Sequence, residues 1–406
     1  MVIVVGGGPA GSSTAFFLAN AGIEVTLLDR ARFPRDKTCS EYLSPEASRL
    51  LDAMNALSAV EASGAAELSG MRVHAPNGAT IHGEFAAQHG FRGFRDRGLA
   101  IRRTILDSIL LDRAREAGVN VQEGVRVTDV LQDGGTVKGV STIDSDGNAS
   151  RRESELVIGA DGLRSVIGRR LNLVRPSRWP KRIALVAHYS GVAESREFGE
   201  MYVDRGGYCG VADVGNGLTN VAVVVPVSRA AEIAVDRTEF LESWIAERPQ
   251  IAERFRGAVR ATPVRATGPF ATSAKRAWVR GAALVGDAAE FFDPFTGEGI
   301  YTALRGGELL ANLVSGALRS DRDTEDALRE YERARRREFS GKWLVEKIVG
   351  AAVSSPTLIN RAAGVLSRRR DMADLLVGVV GDFVPAREVL KPGYLLRLLF
   401  SPARSA

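Results

Sequence analysis

The chain has 406 residues, 45% of them hydrophobic, with 54 lysines and arginines against 49 acidic residues and a formal charge of +5. That length and apolar content are enough to bury a large core. Only seven of the basic residues are lysine and acids are interspersed throughout, so the excess reads as arginine-rich composition and not as a nucleic-acid face. Two cysteines, Cys39 and Cys209, are too few for a disulfide framework. Neither a leader peptide nor an apolar run of about 18 residues is present, which predicts a cytoplasmic protein without a transmembrane segment.

A strand is predicted at residues 2–5. It feeds directly into Gly6-Gly7-Gly8-Pro9-Ala10-Gly11, after which apolar residues continue with helical spacing to a stop at Asn20-Ala21-Gly22. Strand, glycine turn and helix in this order form a dinucleotide fingerprint. Gly6 permits the tight turn, Gly8 lets a pyrophosphate approach the backbone, and Gly11 lets the helix pack close to the strand. Pro9 suits the first helical turn, and with Ala10 it stands at a helix N-terminus whose free N–H groups attract phosphate. A second strand over 24–28 ends at Asp29-Arg30, and Asp29 follows Gly11 at close to the spacing of about 20 residues expected for an acid that accepts from ribose hydroxyls.

Residues 71–75 and 80–84 flank an Asn77-Gly78 hairpin signal. A helix is predicted over 105–117, with Arg103 just before it. Further strands at 183–189, 200–203, 208–211 and 218–225 are expected to form an antiparallel substrate sheet with residues 71–99. Residues 282–285 read as a buried strand ending at Gly286-Asp287, where a short acid suits the hydroxyls of a ribityl chain. Asp293-Pro294-Phe295-Thr296-Gly297-Glu298-Gly299-Ile300 then opens a long helix through Ala303, Leu304, Leu309 and Leu310. Aimed at an isoalloxazine, that helix N-terminus would stabilise the negative charge of a reduced flavin at N1 and O2. A nicotinamide has no such charge, so the two distant segments together select FAD over NAD. Helices at 327–339, 343–353 and 372–380 suggest a C-terminal cap. Residues 391–400 are amphipathic and basic, which favours packing on the chain's own domain, with peripheral membrane contact as the alternative.

These segments resemble the FAD-dependent oxidoreductases that include aromatic hydroxylases, geranylgeranyl reductases and flavin-dependent halogenases, over residues 1–320. The resemblance implies that Val157-Ile158-Gly159-Ala160-Asp161-Gly162-Leu163-Arg164-Ser165 touches the flavin, and that Arg103 lies along its ribityl and phosphate arm. Phe33-Pro34-Arg35-Asp36-Lys37-Thr38-Cys39-Ser40-Glu41-Tyr42-Leu43-Ser44-Pro45, with the closing Gly297-Glu298-Gly299-Ile300, is most similar to the geranylgeranyl-reductase-like branch. There the matching segment lies beside the flavin, which makes Cys39 the catalytic candidate; a small buried apolar role is the alternative. The chain departs from the pattern at Asp29, where glutamate is usual, and at Ser40, where many members have glycine. Gly207-Tyr208 runs into Cys209-Gly210-Val211-Ala212-Asp213 in place of a Trp-x-Phe-Pro-like lipid motif. No Trp-x-Trp-x-x-Pro segment surrounds Trp179, Trp244, Trp278 or Trp343, so halogenation lacks its signature.

The resulting expectation is an α/β protein. A Rossmann-type FAD-binding domain (1–70, 100–175 and 265–320) carries an inserted antiparallel substrate domain (71–99 and 176–264) and a C-terminal helical cap (321–406). FAD would be held by Gly6, Gly8, Pro9, Ala10, Gly11, Asp29, Arg30, Arg103, Asp161, Gly286, Asp287, Pro294, Gly297, Gly299 and Ile300. With a single fingerprint, NAD(P)H would visit only transiently as reductant. The expected function is an FAD-dependent monooxygenase acting on an apolar small molecule of secondary metabolism, with geranylgeranyl-reductase-like reduction of carbon–carbon double bonds as the close alternative. A flavin-binding protein without turnover is the remote alternative, and it predicts no cavity against the ring. His74, His82 and His188 fall on strands and His89 in a loop, where structural roles outweigh proton donation. Phe291, Phe292 and Phe295 either wall a pocket or pack the core. No metal cluster and no nucleophilic triad is expected.

Overall fold

The computed structural model describes residues 1–176, 181–193, 197–320 and 322–401; Trp179 lies outside them. A six-stranded sheet runs in the order Trp278–Val279, Ala282–Leu284, Leu156–Gly159, Val2–Val5, Val25–Asp29, Asn120–Glu123. All neighbours are parallel except the first pair. Every residue of Val2–Val5 is buried, as a strand covered on both faces requires.

Helix α1 (Pro9–Asn20) follows the first strand and packs against helix α2 (Arg103–Glu116) and the long helix α3 (Gly299–Arg319). The α1–α3 contact is close because α3 presents glycine. A methyl group at Gly307 would fall 2.3 Å from Ser13 Oγ. Two helices far apart in the chain are thereby packed backbone to backbone in front of one sheet.

The second sheet has eight strands. Arg182–Ser190, Leu218–Pro226, Gly207–Asp213 and Phe198–Asp204 form its antiparallel centre. The hairpin of Gly70–His74 and Thr80–Glu84 joins through a parallel pairing of Gly70–His74 with Phe198–Asp204, so one pair departs from the expected antiparallel pattern. The strand Gly98–Ala100 pairs elsewhere, with Tyr42–Leu43 and Ala66–Leu68.

At the C-terminal end, the two helices expected at 327–339 and 343–353 are one continuous helix, α4 (Glu325–Val353). Gly341 falls inside it without breaking it, because the buried face continues through Phe339, Lys342 and Val345 across the gap. Tyr331 fixes α4 to the parallel sheet by donating its hydroxyl to the Leu284 carbonyl at 2.9 Å. Helices α5 (Pro356–Leu366), α6 (Arg370–Val380) and α7 (Pro392–Phe400) complete this layer. The α7 segment packs through Tyr394, whose hydroxyl donates to the Met372 carbonyl at 2.9 Å, yet leaves Leu396, Leu399 and Phe400 exposed. Among the described residues no helix is long and apolar enough to cross a membrane.

Candidate functional site

The first glycine turn is shaped by contacts that no side chain tolerates. Gly6 has φ +106°, and a Cβ there would lie 2.5 Å from the Ala160 carbonyl oxygen; at Gly11 it would lie 1.7 Å from Gly6 O. The turn therefore folds flat onto the sheet and exposes the start of α1, which has Pro9 in its first turn and no side-chain cap. Asp29, at the end of the neighbouring strand, accepts the Gly7 N–H at 2.7 Å and the Ala31 N–H at 2.8 Å. Its buried carboxylate thus braces the glycine turn from behind.

The second arm comes from the far end of the chain. Gly286 (φ +60°) turns the strand Ala282–Leu284 toward Asp287, and Gly297 (φ +73°) lies against the Tyr42 ring. α3 begins just after it, and its N-terminus also lacks a side-chain cap. Asp161 uses Oδ2 to accept the Val166 N–H at 2.6 Å, while its buried Oδ1 has no partner. Arg103 is held by Asp107, and Arg35 reaches the same carboxylate at 3.1 Å. Burial raises the Asp287 carboxyl above its ordinary range, opposed by the cations of Lys37 and Arg103. Burial lowers Lys37.

One cavity of about 740 Å³ joins the two arms. Of the residues singled out in the sequence, Gly6, Gly8, Pro9, Ala10, Asp29, Arg30, Cys39, Arg103, Asp161, Gly286, Asp287, Pro294, Gly297, Gly299 and Ile300 all line it. Gly11 does not; it stands behind Gly6 and acts through packing. The cavity continues from these residues onto the second sheet, past Val186, Met201, Val211 and Val224, and Phe291, Phe292 and Phe295 all contribute to its wall. Cys39 is partly exposed, and its Sγ accepts the Glu41 N–H at 3.3 Å.

None of the four histidines lines the cavity. His188 is buried against Glu41, and His74 stacks on Tyr202.

Sequence reasoning missed an acidic group at the second sheet and cap. Asp293 accepts from Tyr208 Oη at 2.6 Å and from Arg182, and Glu290 pairs with Arg335 at 3.2 Å. Lys342 pairs with Asp382. Glu298 and Glu346 have no salt-bridge partner among the described residues, and both line the cavity. Burial lifts Glu290 and Glu298 each to about 7, opposed by Arg335 and Lys342 respectively. Burial first, and then the carboxylates of Glu298, Asp293 and Glu290, push Glu346 well above the usual range, with Lys342 opposing. The signal that marks the wall in the sequence is spacing. Phe339, Trp343 and Glu346 stand at i, i+4 and i+7 on α4, one helix face that lines the cavity.

Two uncapped helix N-termini, a flat glycine turn and an unpartnered Asp161 oxygen suit a dinucleotide bearing a long polyhydroxyl arm and an electron-rich ring. These features fit FAD, and the class of protein they define is the FAD-dependent oxidoreductases. The chain belongs to the FAD binding domain family, whose model matches residues 1–342. It is 30% identical over 398 residues to digeranylgeranylglycerophospholipid reductase 2 of Methanopyrus kandleri, covering 94% of this chain and 93% of that protein. Among solved structures, a flavoprotein/dehydrogenase from Cytophaga hutchinsonii superposes with a TM-score of 0.83 at 25% identity, covering 98% and 96% of the two chains. The myxobacterial chondrochloren halogenase superposes with a TM-score of 0.80 at 25% identity, covering 88% and 83%. A cavity open to the dinucleotide groove is contrary to what a flavin binder without turnover predicts.

Proposed function

We propose that this oxidoreductase reduces a carbon–carbon double bond in an elongated apolar small molecule. One observation carries the reading: Glu346 lines the cavity continuous with the dinucleotide groove, where burial and then the neighbouring carboxylates raise its carboxyl well above the usual range. Saturating an alkene needs a proton as well as a hydride, and a carboxyl raised in this way is suited to donate it. The full-length likeness to a digeranylgeranylglycerophospholipid reductase supports the same chemistry.

In this reading Gly6, Gly8, Pro9, Ala10 and Gly11 form the pyrophosphate cradle, with Asp29 and Arg30 at the adenosine ribose. Arg103, Asp161, Gly286 and Asp287 hold the ribityl arm, and Pro294, Gly297, Gly299 and Ile300 the ring. Held there, FAD would supply hydride chemistry, with NAD(P)H as its transient reductant. The sheet residues Val186, Met201, Val211 and Val224 exclude water from the substrate. Cys39 stands at the wall of the same cavity as a substrate-contacting side chain.

The apolar substrate would be met at a lipid surface through Leu396, Leu399 and Phe400 of α7. Arg361 ties α5 to that helix by donating to the Leu399 carbonyl at 2.6 Å. Arg361, Arg368 and Arg397 have no carboxylate partner among the described residues, which suits anionic headgroups.

A second reading, oxygenation of an apolar secondary metabolite, is favoured by one feature. Gly207-Tyr208 leads into Cys209-Gly210-Val211, without the lipid motif of the reductases, and the Tyr208 hydroxyl is committed to Asp293. Incubating the reduced holoenzyme with polyprenyl substrates, first without and then with oxygen, separates the two. Anaerobic flavin reoxidation with a product that gains two hydrogens is the expected result. A product that forms only with oxygen and gains an oxygen atom would overturn it.

A further inference from the structure

The segment 37–42 supplies Lys37, Thr38, Cys39, Ser40 and Tyr42 to the cavity wall, and Glu41 is the one residue in it that does not face the cavity. Glu41 also has φ +64°, a left-handed conformation that a non-glycine residue holds only where its surroundings enforce it. What enforces it is behind the wall. Glu41 is 2% exposed, and its carboxylate accepts from three separate elements. Oε1 accepts the Arg103 N–H at 2.8 Å, at the N-terminus of α2. Oε2 accepts from Asn220 Nδ2 at 2.9 Å and from His188 Nε2 at 2.7 Å, on two strands of the second sheet.

The proton positions follow from these partners. A carboxylate only accepts, so His188 donates from Nε2, and its Nδ1 lies in hydrogen-bond reach of the Thr262 hydroxyl at 3.1 Å. The Thr262 oxygen in turn accepts the His188 N–H at 2.9 Å. Asn220 Nδ2 donates both to Glu41 and to the Cys39 carbonyl at 3.0 Å. Every donor around Glu41 is thus satisfied by it, and one of them also holds the backbone of Cys39. A buried carboxylate with this many donors from distant parts of the chain rigidifies whatever carries it.

We propose that Glu41 is a positioning residue that sets Cys39 and the 37–42 wall between the dinucleotide groove and the substrate sheet. It acts through Arg103 on one side and through Asn220 and His188 on the other, and touches neither cofactor nor substrate. The proposal rests on the functional reading only for the cavity being the active site.

The test reads the Cys39 thiol directly. Cys209, the other cysteine, is fully buried with its thiol pushed up to about 12, so iodoacetamide labelling of the folded protein reports Cys39. Glu41→Ala in the FAD-loaded protein is expected to raise the Cys39 alkylation rate at least tenfold, and Glu41→Gln, which keeps one acceptor oxygen, by a smaller factor. Asn220→Ala, which frees the Cys39 carbonyl and removes one of the two donors to Glu41 Oε2, is expected to raise it at least threefold and serves if Glu41→Ala does not fold. Equal alkylation rates in wild type and folded variants, including no labelling in any of them, overturn the proposal. Because the readout is labelling and not turnover, a failure of the reductase assay leaves this result standing by itself.

Discussion

Arg103 and Asp107, one turn apart on α2, form a two-pronged pair with Nε to Oδ1 at 2.7 Å and Nη2 to Oδ2 at 2.8 Å. The Asp107 side chain is fully buried and Arg103 nearly so, and the pair fixes the guanidinium at the edge of the cavity. Asp107→Ala leaves a buried cation without its partner. We expect a loss of about 3 kcal/mol in unfolding free energy, together with weaker FAD retention, read by denaturant titration and by flavin released on gel filtration. Unchanged stability and flavin content would show that Arg103 finds a substitute partner.

Gly11→Ala tests the packing of the first arm. Its methyl group would lie 1.7 Å from the Gly6 carbonyl oxygen, so α1 must shift away from the strand or the turn must open. Purified Gly11→Ala protein is expected to contain less than about a tenth of the wild-type flavin per chain, a loss of more than about 1.4 kcal/mol in binding. The absorbance ratio of flavin to protein measures it.

Glu290 and Glu298 predict a pH dependence of stability with a defined sign. Both carboxyls titrate at about 7 in the folded protein, against about 4.3 for an unfolded glutamate. Between those values the folded state holds protons that the unfolded state has lost. Their contribution is therefore complete below about 4.3 and is lost as pH rises through about 7. Urea unfolding at a series of pH values from 5 to 8 should show this decline on the background of the other groups, and Glu298→Gln should flatten it. A Glu298→Gln profile with the wild-type slope would assign the decline elsewhere.

Glu346→Gln retains the shape of the side chain but removes its acidic proton. If Glu346 is the proton donor, turnover of the alkene should fall by about 10²-fold while flavin content and visible spectrum stay as in the wild type. A turnover within a factor of two of wild type would place the donor elsewhere in the cavity.

The exposed face of α7 can be tested without any substrate. Flotation with vesicles of phosphatidylglycerol and phosphatidylcholine should carry the protein upward, and the double variant Leu399→Glu with Phe400→Glu should abolish this. Binding that survives both substitutions would rule out this face as the lipid contact.

The parallel sheet and its cofactor arm were legible because their information is local. A β-branched run, three glycines at fixed spacing and an acid on the next strand specify both a conformation and a ligand, and each of them faces or backs the groove. Even there the role of Asp29 was only half visible. Its two hydrogen bonds to Gly7 and Ala31 brace the turn itself, and backbone N–H partners leave no mark on side-chain identity. The break expected between residues 339 and 343 is absent, because the buried stripe of α4 continues through Phe339, Lys342 and Val345 across Gly341.

The amino-acid sequence by itself determined that this chain folds around a dinucleotide and that the dinucleotide is FAD, because glycine turns and helix starts encode their geometry in consecutive residues. Only the tertiary structure decided what surrounds the cofactor. Glu41 meets His188 and Asn220, and Glu346 feels the charges of Glu298, Asp293 and Glu290, across separations where no periodicity or spacing links the partners. Burial and mutual repulsion, which raise the Glu346 carboxyl, exist only once sheet, groove and cap have closed on one another.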